Sequence, residues 1–175
     1  MNMEQIQQEG ARIKQEMSGI ADPEELSRIF TEKGNDDRYC FHLARNRNTP
    51  VKVLEEIFGK YQKDEVVMEQ MVANPNCPEE IVARLLEIWK ASDLLKRNAL
   101  SNPNCPKDHL FTTIRQMIKS EDPFYLRPIF ENSDLPAELI AEIAALDDLD
   151  AILKRKIYQH RNTPEAIRNK LKPQA

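Results

Sequence analysis

Three arginines stand at one repeated position of the chain, where they could bind anionic groups. Arg97, Arg127 and Arg155 each lie five residues before the asparagine or histidine that opens a proline-containing motif. A guanidinium group is always charged, and it binds a carboxylate or phosphate through two parallel hydrogen bonds. We therefore expect these arginines to anchor acidic groups of a partner if they share one surface. Three further basic residues lie beside them in the sequence: Lys96, Lys154 and Lys156.

The same arginines also have a simpler interpretation as ordinary surface charge. Exposed helices commonly carry charged side chains, and an exposed pair of opposite charges stabilises a protein by only about 0–1 kcal/mol. Acidic residues such as Glu55, Glu79 and Glu138 are frequent near the starts of the predicted helices. At the level of sequence, the arginines either bind a partner or pair with acids of the same chain.

Cysteines and histidines are the other side chains with reactive or metal-binding potential. Cys77 and Cys105 occupy the same position of adjacent motifs. Helices that pack side by side lie about 8–10 Å apart, which is too far for a disulfide. We predict that Cys40 is a buried structural thiol, and that His109, which falls in an apolar column, is a hydrogen-bonded core residue. No metal-site spacing or catalytic motif occurs, so we predict no cofactor, no metal and no enzyme activity.

The composition favours helices and a protein partner. The 175 residues include 25 Lys and Arg against 29 Asp and Glu, only 4 glycines and 6% aromatic residues, and the net charge is −4. A net negative charge argues against general affinity for nucleic acid or acidic membrane. The first residues lack the basic start and apolar run of a signal peptide, and no run of about 20 apolar residues occurs. We expect a cytoplasmic protein without a membrane span.

Five related motifs recur along the chain at an almost constant spacing. Two read Asn-Pro-Asn-Cys-Pro, one reads Asn-Arg-Asn-Thr-Pro, and two are looser copies. They begin at Asn46, Asn74, Asn102, Asn132 and His160, and they end at Pro50, Pro78, Pro106, Pro136 and Pro164. Successive final prolines are 28 residues apart except for one interval of 30. A fixed period of this length predicts stacked repeats.

Each motif is predicted to be a structural turn between two helices. Its first asparagine tolerates a left-handed backbone and bonds nearby main-chain groups, so we expect these residues to stack as a ladder from turn to turn. The Asp or Thr before the proline is predicted to be the N-cap residue, with the proline at the first helical position. Turn chemistry alone explains these residues, which argues against a ligand-binding role for them.

Two helices are predicted in each repeat. After each proline, apolar residues recur at the third, fourth, seventh and eighth positions, as at Val53 and Ile57. This spacing forms one face of a helix. A shorter second helix precedes the next motif and carries the arginine column. In the fourth repeat, Pro123 and Pro128 cannot both lie inside one straight helix, so we predict a kink or a break there.

The first 19 residues are predicted to form a separate capping helix. Ile6, Ile13 and Met17 lie near helical spacing. A stack of repeats exposes apolar surface at both ends, so a terminal helix with one polar face is expected there. The alternative is a partly disordered leader, because this segment has low hydrophobicity. We predict a capping helix at residues 1–19 and a single repeat domain at residues 20–175.

Residues 20–172 resemble bacterial leucine-rich repeat variant proteins. The likeness lies in units such as Asn-Pro-Asn-Cys-Pro-Glu-Glu-Ile-Val-Ala-Arg-Leu-Leu, in which a proline-containing turn precedes a short helix. The resemblance implies a right-handed, all-helical superhelix and no shared enzyme activity. This chain has a longer unit than is usual in that family and lacks a cysteine cluster for an iron–sulfur centre. The predicted fold is all-α, a right-handed α-solenoid of helical pairs of about 28 residues.

The sequence thus predicts a monomeric, non-enzymatic scaffold that binds an acidic protein partner along its second helices. Two alternatives stay open. The arginine column could bind a nucleic-acid phosphate backbone, although the negative net charge and the lack of aromatic residues beside the arginines argue against this. The chain could also be an inhibitor or immunity-type protein that neutralises a toxin or occludes an enzyme.

Overall fold

The computed structural model describes residues 3–90, 92–119 and 126–172, and this part of the chain is all helical. The α helices are α1 Met3–Met17, α2 Pro23–Lys33, α3 Asp37–Arg45, α4 Val51–Tyr61, α5 Glu65–Val72, α6 Glu79–Ile88, α7 Asp93–Ala99, α8 Lys107–Lys119, α9 Ala137–Ala144, α10 Ala151–Gln159 and α11 Glu165–Lys170. One 3₁₀ helix, Pro128–Glu131, precedes α9. We call α2, α4, α6, α8, α9 and α11 first helices, and α3, α5, α7, the 3₁₀ helix and α10 second helices.

The motif prolines precede the first helices by one residue. Pro50, Pro78, Pro136 and Pro164 have ψ angles from 138° to 147°, and the helix begins at the next residue. The proline carbonyl accepts the first helical hydrogen bond, as from Leu54 N to Pro50 O at 3.1 Å. An N-cap residue needs an extended backbone and a free carbonyl, both of which proline provides. The prediction of proline at the first helical position is therefore wrong by one residue, except at Pro23, which follows its N-cap Asp22.

The threonine before the proline bonds the preceding helix and not the following one. Thr49 Oγ1 donates to Leu43 O at 2.6 Å, and Thr163 Oγ1 donates to Ile157 O. These carbonyls belong to the last turn of a second helix, where each also accepts a bond from the C-cap amide of Asn46 or His160. The prediction that these threonines are N-caps is therefore wrong.

Four second helices begin with a side-chain cap that was not predicted. Asp36, Asp64, Ser92 and Asp150 precede α3, α5, α7 and α10, and each accepts a hydrogen bond from a backbone amide of the first turn. An N-cap of this kind stabilises a helix by about 1 kcal/mol. Each second helix with such a cap therefore has a well-defined start.

The asparagine that opens each of the first four motifs joins its turn to an earlier part of the chain. Asn74 Nδ2 donates to Ala44 O at 2.8 Å and to Asn46 O at 2.9 Å. Asn102 Nδ2 donates to Val72 O at 2.9 Å and to Asn74 O at 2.7 Å. The other two asparagines, Asn46 and Asn132, donate to Ile20 O and Asn102 O. These bonds form the ladder that the repeated asparagine predicts.

The backbone of the ladder differs from the prediction. Asn46 has φ −73° and ψ 118°, and Asn132 has φ −73° and ψ 106°, so both are extended and not left-handed. Each asparagine side-chain oxygen accepts a hydrogen bond from the backbone amide two residues later. Asn48 N, for example, donates to Asn46 Oδ1 at 2.9 Å. Asparagine is used here because one amide group turns the local chain and also bonds the neighbouring turn.

A second asparagine column strengthens the same turns. Asn76 Nδ2 donates to Arg47 O at 2.7 Å and to Thr49 O at 3.2 Å. Asn104 Nδ2 makes the equivalent bonds to Pro75 O and Cys77 O. This column was not predicted, although an asparagine recurs as the third residue of four of the five motifs.

The hydrophobic core lies between the first and second helices. The predicted apolar stripe of the first helices is buried at most positions, for example at Leu54, Ile57 and Leu85. Second helices contact one another in chain order, α3 with α5, α5 with α7, and α7 with the 3₁₀ helix. This part of the prediction is confirmed: three- and four-residue spacing marks the buried helix faces.

The amino-terminal helix lies beside α3. Ile13 and Met17 are buried, whereas Ile6 is exposed. Arg38 Nη1 donates to Glu9 at 2.8 Å, and Tyr39 Oη donates to Glu16 at 2.9 Å. Burial of Ile13 and Met17 and these polar contacts together hold α1 against α3.

The fourth repeat is irregular. Its second helix is described only as the 3₁₀ turn Pro128–Glu131, with Ile129 and Phe130 buried as predicted. Pro123, one of the two prolines behind the predicted kink or break, lies outside the described residues. Pro128 opens the 3₁₀ turn, which is compatible with its missing amide hydrogen.

Candidate functional site

The predicted basic residues lie on or next to the second helices. Lys96 and Arg97 are on α7, Arg127 immediately precedes the 3₁₀ helix, and Lys154, Arg155 and Lys156 are on α10. We use the name second-helix surface for the solvent-facing side of α5, α7 and α10, which carries Val66, Glu69, Leu94, Arg97, Ile152 and Arg155. These six residues occupy two repeated positions, eight and five residues before the motif that follows each helix.

Arg127 is part of an ion pair that supports the fold. Its Nη2 lies 2.6 Å from Asp150 Oδ2, and its Nε donates to the same oxygen at 3.2 Å. Asp150 is also the N-cap of α10, because its Oδ1 accepts from Leu153 N at 2.8 Å. The hydrogen bond from Arg127 holds the pKa of Asp150 below its ordinary value. Of the two interpretations of the arginine column, Arg127 therefore fits pairing with an acid of the same chain.

The remaining basic residues differ in their availability. Lys156 pairs with Glu131 on the 3₁₀ helix, and Lys96 lies 3.6 Å from Asp93 of the same helix. Lys154 and Arg155 are exposed, and neither forms an ion pair with another described residue. Arg97 is half-buried. Of the six predicted basic residues, Lys154 and Arg155 on α10 are therefore the exposed ones.

An exposed apolar column accompanies the basic residues. Val66, Leu94 and Ile152 are the second residues of α5, α7 and α10, and they are 60%, 52% and 42% exposed. Leu94 and Ile152 each lie three residues before an arginine, so apolar and basic side chains share one helix face. This column was not predicted, although its three members each stand eight residues before the motif that follows.

A cleft opens at the amino-terminal end of this surface. Its lining includes Gly10 and Ile13 from α1, Phe41 and His42 from α3, and Val66 from α5. Burial, together with the charge of Arg45, lowers the pKa of His42. The charged residues Asp37, Arg38 and Asp64 also line the cleft. The cleft therefore combines apolar and charged side chains around an imidazole that favours its neutral form.

The three cysteines are buried, free thiols. Burial raises the pKa of Cys40 to about 11 and the pKa values of Cys77 and Cys105 to about 12. A thiol with such a pKa is almost entirely protonated at neutral pH and is a poor nucleophile. Cys77 and Cys105 occupy the position of Thr49 in the turn, where they fill space in the core.

The histidines have separate surroundings. His109 is half-buried rather than fully in the core, with Nε2 3.5 Å from Lys96 O and 3.4 Å from Thr113 Oγ1, and burial lowers its pKa. His160 replaces asparagine in the ladder: its Nε2 lies 2.9 Å from Asn132 O, and its Nδ1 accepts from Asn162 N at 3.2 Å. Across residues 3–90, 92–119 and 126–172, no group of three or more His, Cys, Asp or Glu side chains is placed to hold a metal ion.

Comparison of the chain with protein-family models, curated proteins and solved structures found no match. In the described part of the chain, no helix has both the length and the apolar character needed to cross a bilayer. The second-helix surface combines exposed apolar and basic side chains at repeated positions of α7 and α10. We therefore take it as the candidate functional site.

Proposed function

We propose that the chain is a right-handed α-solenoid of helical pairs, each about 28 residues long, with α1 as its amino-terminal cap. Support comes from hydrogen bonds between turns that are 28 or 30 residues apart. Contacts between successive second helices support the same arrangement. The proposed architecture is that of the bacterial leucine-rich repeat variant units, which the motifs resemble.

The proposed function of this solenoid is to bind a protein partner, without catalysis, along the second-helix surface. The observation that carries the proposal is the exposed pair Lys154 and Arg155 on α10, with Arg97 at the corresponding position of α7. Stacked repeats present extended surfaces of this kind to macromolecules. Because guanidinium groups bind carboxylates through two hydrogen bonds, an acidic protein surface is the favoured partner.

The proposed setting is a reducing cytoplasm, with the scaffold acting as a monomer. Three buried thiols remain free in a chain that has an odd number of cysteines. Disulfides form mainly in oxidising compartments, so free thiols are compatible with the cytoplasm.

The test is affinity capture from the native extract followed by mass spectrometry. The test variant is Arg97→Glu/Arg155→Glu, which leaves Arg127 in place because Arg127 supports α10. The matched control is Lys52→Glu/Lys107→Glu, a reversal of two exposed charges on first helices. The wild type and the control should retain the partner, and the test variant should lose at least ~90% of it, about 1.4 kcal/mol or more of binding free energy. Equal retention by the test variant and the control would contradict the proposal.

Nucleic acid is the alternative ligand for the same basic residues. Binding to phosphates is strongest at low salt, so random-sequence DNA and RNA are titrated at about 50 mM salt. The proposal predicts no binding that depends on Arg97 and Arg155. If such binding occurred while no protein was captured, the protein-scaffold function would be wrong. Capture of a toxin or an enzyme would instead identify the chain as an inhibitor.

A further inference from the structure

We infer that the cleft between α1, α3 and α5 binds a partner segment in which a basic side chain stands next to an apolar one. The apolar side chain lies against Ile13, Phe41 and Val66, and the basic group binds the carboxylates of Asp37 and Asp64. The inference goes beyond the proposed function, because it uses none of the basic residues of α7 and α10.

The size and openness of the cleft favour a peptide segment as the occupant. Its volume is about 310 Å³, and its lining lies wholly within residues 3–90. Small-molecule pockets span about 300–1,000 Å³ and bury about 70–90% of the ligand. This cleft is at the lower end of that range and is open to solvent, since Val66 in its wall is 60% exposed. It therefore has room for one or two side chains of a larger partner that also makes contacts outside it.

Apolar side chains line the cleft and continue beyond it. Ile13 is buried, whereas Phe41 is half-buried and Val66 is exposed. Ile6, which is 45% exposed, lies four residues before Gly10 and therefore on the same face of α1. An apolar side chain in the cleft covers this partly exposed surface, and burial of apolar surface drives binding.

Gly10 leaves open space beside these apolar side chains. A Cβ atom added at Gly10 would meet no atom within 4 Å outside its chain neighbours and the local backbone of α1. Glycine is a poor helix former, so α1 itself gains no stability from it. The position therefore widens the cleft, and a larger side chain placed there would fill it without a clash at Cβ.

Carboxylates determine which charge the cleft accepts. Arg38 lines the cleft, but its guanidinium already lies 2.8 Å from Glu9 and 2.6 Å from Asp36. Asp37 and Asp64 also line the cleft, and neither forms an ion pair with a basic residue in the described part of the chain. Hydrogen bonds between a cationic donor and a carboxylate are among the strongest in proteins. The lining therefore has two carboxylates that a cationic group of a partner can bind.

Basic residues near the cleft do not reverse this preference. Burial, followed by the charges of Arg45 and Lys14, lowers the pKa of His42, but neither of these basic residues lines the cleft. His42 therefore favours its neutral form and adds little positive charge at neutral pH. Register gives the same contrast, because the position five residues before each motif is Phe41 and Glu69 in the first two cases and arginine in the other three. The amino-terminal end of the surface thus favours a basic segment.

The test is selection from a random phage-displayed library of peptides on the immobilised full chain. Peptides of about 12 residues extend to about 40 Å, which exceeds the distance of about 20 Å across α1, α3 and α5. Selected peptides should contain arginine or lysine next to leucine, methionine or an aromatic residue. Fluorescence polarisation then gives their dissociation constants for the wild type and for variants of the cleft.

Two variants and two matched controls locate the binding. Gly10→Leu fills the cleft and should weaken binding at least ~10-fold, which is about 1.4 kcal/mol. Asp37→Asn/Asp64→Asn should weaken it by a similar factor, and asparagine at position 64 still caps α5. The controls are Gly59→Leu, at a helical glycine that also has open space, and Asp147→Asn/Asp148→Asn, which removes two exposed carboxylates between α9 and α10. Both controls should leave binding unchanged, and Gly10→Leu should not lower the urea midpoint.

Several results would overturn the inference. These are no enrichment, selected peptides without a basic residue, and peptides that bind Gly10→Leu as tightly as the wild type. A dimer in sedimentation that Gly10→Leu dissociates would also contradict it, because a second copy of the chain would then occupy the cleft. Failure here is distinguishable from failure of the proposed function, which is tested by capture of a partner through other residues.

Discussion

The turns and the second-helix surface belong to the same repeats but constrain their side chains in different ways. In the turns, Asn74 and Asn102 each bond two carbonyls of the preceding repeat, and both are buried. Five residues earlier, on the surface, the side chain changes from Glu69 to Arg97. A position that contacts the neighbouring repeat must keep its chemistry, whereas a position that faces solvent can change. Repeat geometry and recognition therefore reside in different residues of one unit.

The largest effect is expected when a turn loses its asparagine. Asn102→Ala removes bonds to Val72 O and Asn74 O and the bond that Asn104 N donates to Asn102 Oδ1. Unsatisfied buried polar groups cost about 1–3 kcal/mol each, so we expect the free energy of unfolding to fall by about 3 kcal/mol in urea titrations. Asn169→Ala on the exposed side of α11 is the control, with a change below about 0.5 kcal/mol. If the two variants lost the same free energy of unfolding, the asparagine ladder would not stabilise the fold.

His160 tests whether a ladder position needs an amide or only a suitable hydrogen-bonding group. His160→Ala should lower the free energy of unfolding by about 1–3 kcal/mol, because Asn132 O and Asn162 N lose their partner. His160→Asn should stay within about 1 kcal/mol of the wild type, because an amide offers the same donor and acceptor. Thermal or urea unfolding measures both variants. An asparagine variant as unstable as the alanine variant would show that the ring fills space and does not replace the amide.

The buried thiols predict a loss of stability at alkaline pH. Burial raises the pKa of Cys77 to about 12, and burial followed by the charge of Glu79 does the same for Cys105, from an ordinary value of 9.0. The unfolded thiol ionises first, so its stabilising contribution is complete below pH 9 and is lost as the pH rises towards 12. At pH 10 the loss is about 1 kcal/mol per thiol.

Urea unfolding at pH 7 and pH 10 measures this loss. The variant Cys77→Val/Cys105→Val is the control, and its stability should change less between the two pH values. If both proteins lose the same free energy, the thiols are not the source of the alkaline sensitivity.

The smallest effects are expected on the second-helix surface. Arg155→Glu should change the free energy of unfolding by less than about 0.5 kcal/mol, because Arg155 is exposed. Arg127→Glu should lower the unfolding temperature measurably, because it places a carboxylate beside Asp150, the N-cap of α10. Circular dichroism melts of the two variants compare them directly. A loss at Arg155 that equals the loss at Arg127 would contradict the distinction between supporting and solvent-facing arginines.

The helices and the ladder were predictable because local chemistry dictates them. Apolar spacing defines the buried faces, and an asparagine at the end of a helix bonds backbone groups nearby. The predictions for Thr49 and Pro50 were wrong because both residues lie between two helices. The sequence does not show that the Thr49 hydroxyl bonds the preceding helix, or that the following helix begins one residue after Pro50.

The candidate site was only partly predictable. The register located the arginine column, but the pairing of Arg127 with Asp150 joins residues 23 apart and depends on the path of the chain between them. The apolar column Val66, Leu94 and Ile152 was present in the same register. It was missed because exposure, and not residue type, distinguishes a surface column from a core column.

Distances across the second-helix surface test the central claim most directly, which is that the repeats stack in chain order and form one continuous surface. Spin labels at Val66, Leu94 and Ile152, in a chain whose three native cysteines are replaced by valine, report these distances by electron paramagnetic resonance. With about 8–10 Å between neighbouring helices, positions 66 and 94 should lie about 10 Å apart, positions 94 and 152 about 20 Å, and positions 66 and 152 about 30 Å. A distance from 66 to 152 no longer than that from 94 to 152 would contradict the account.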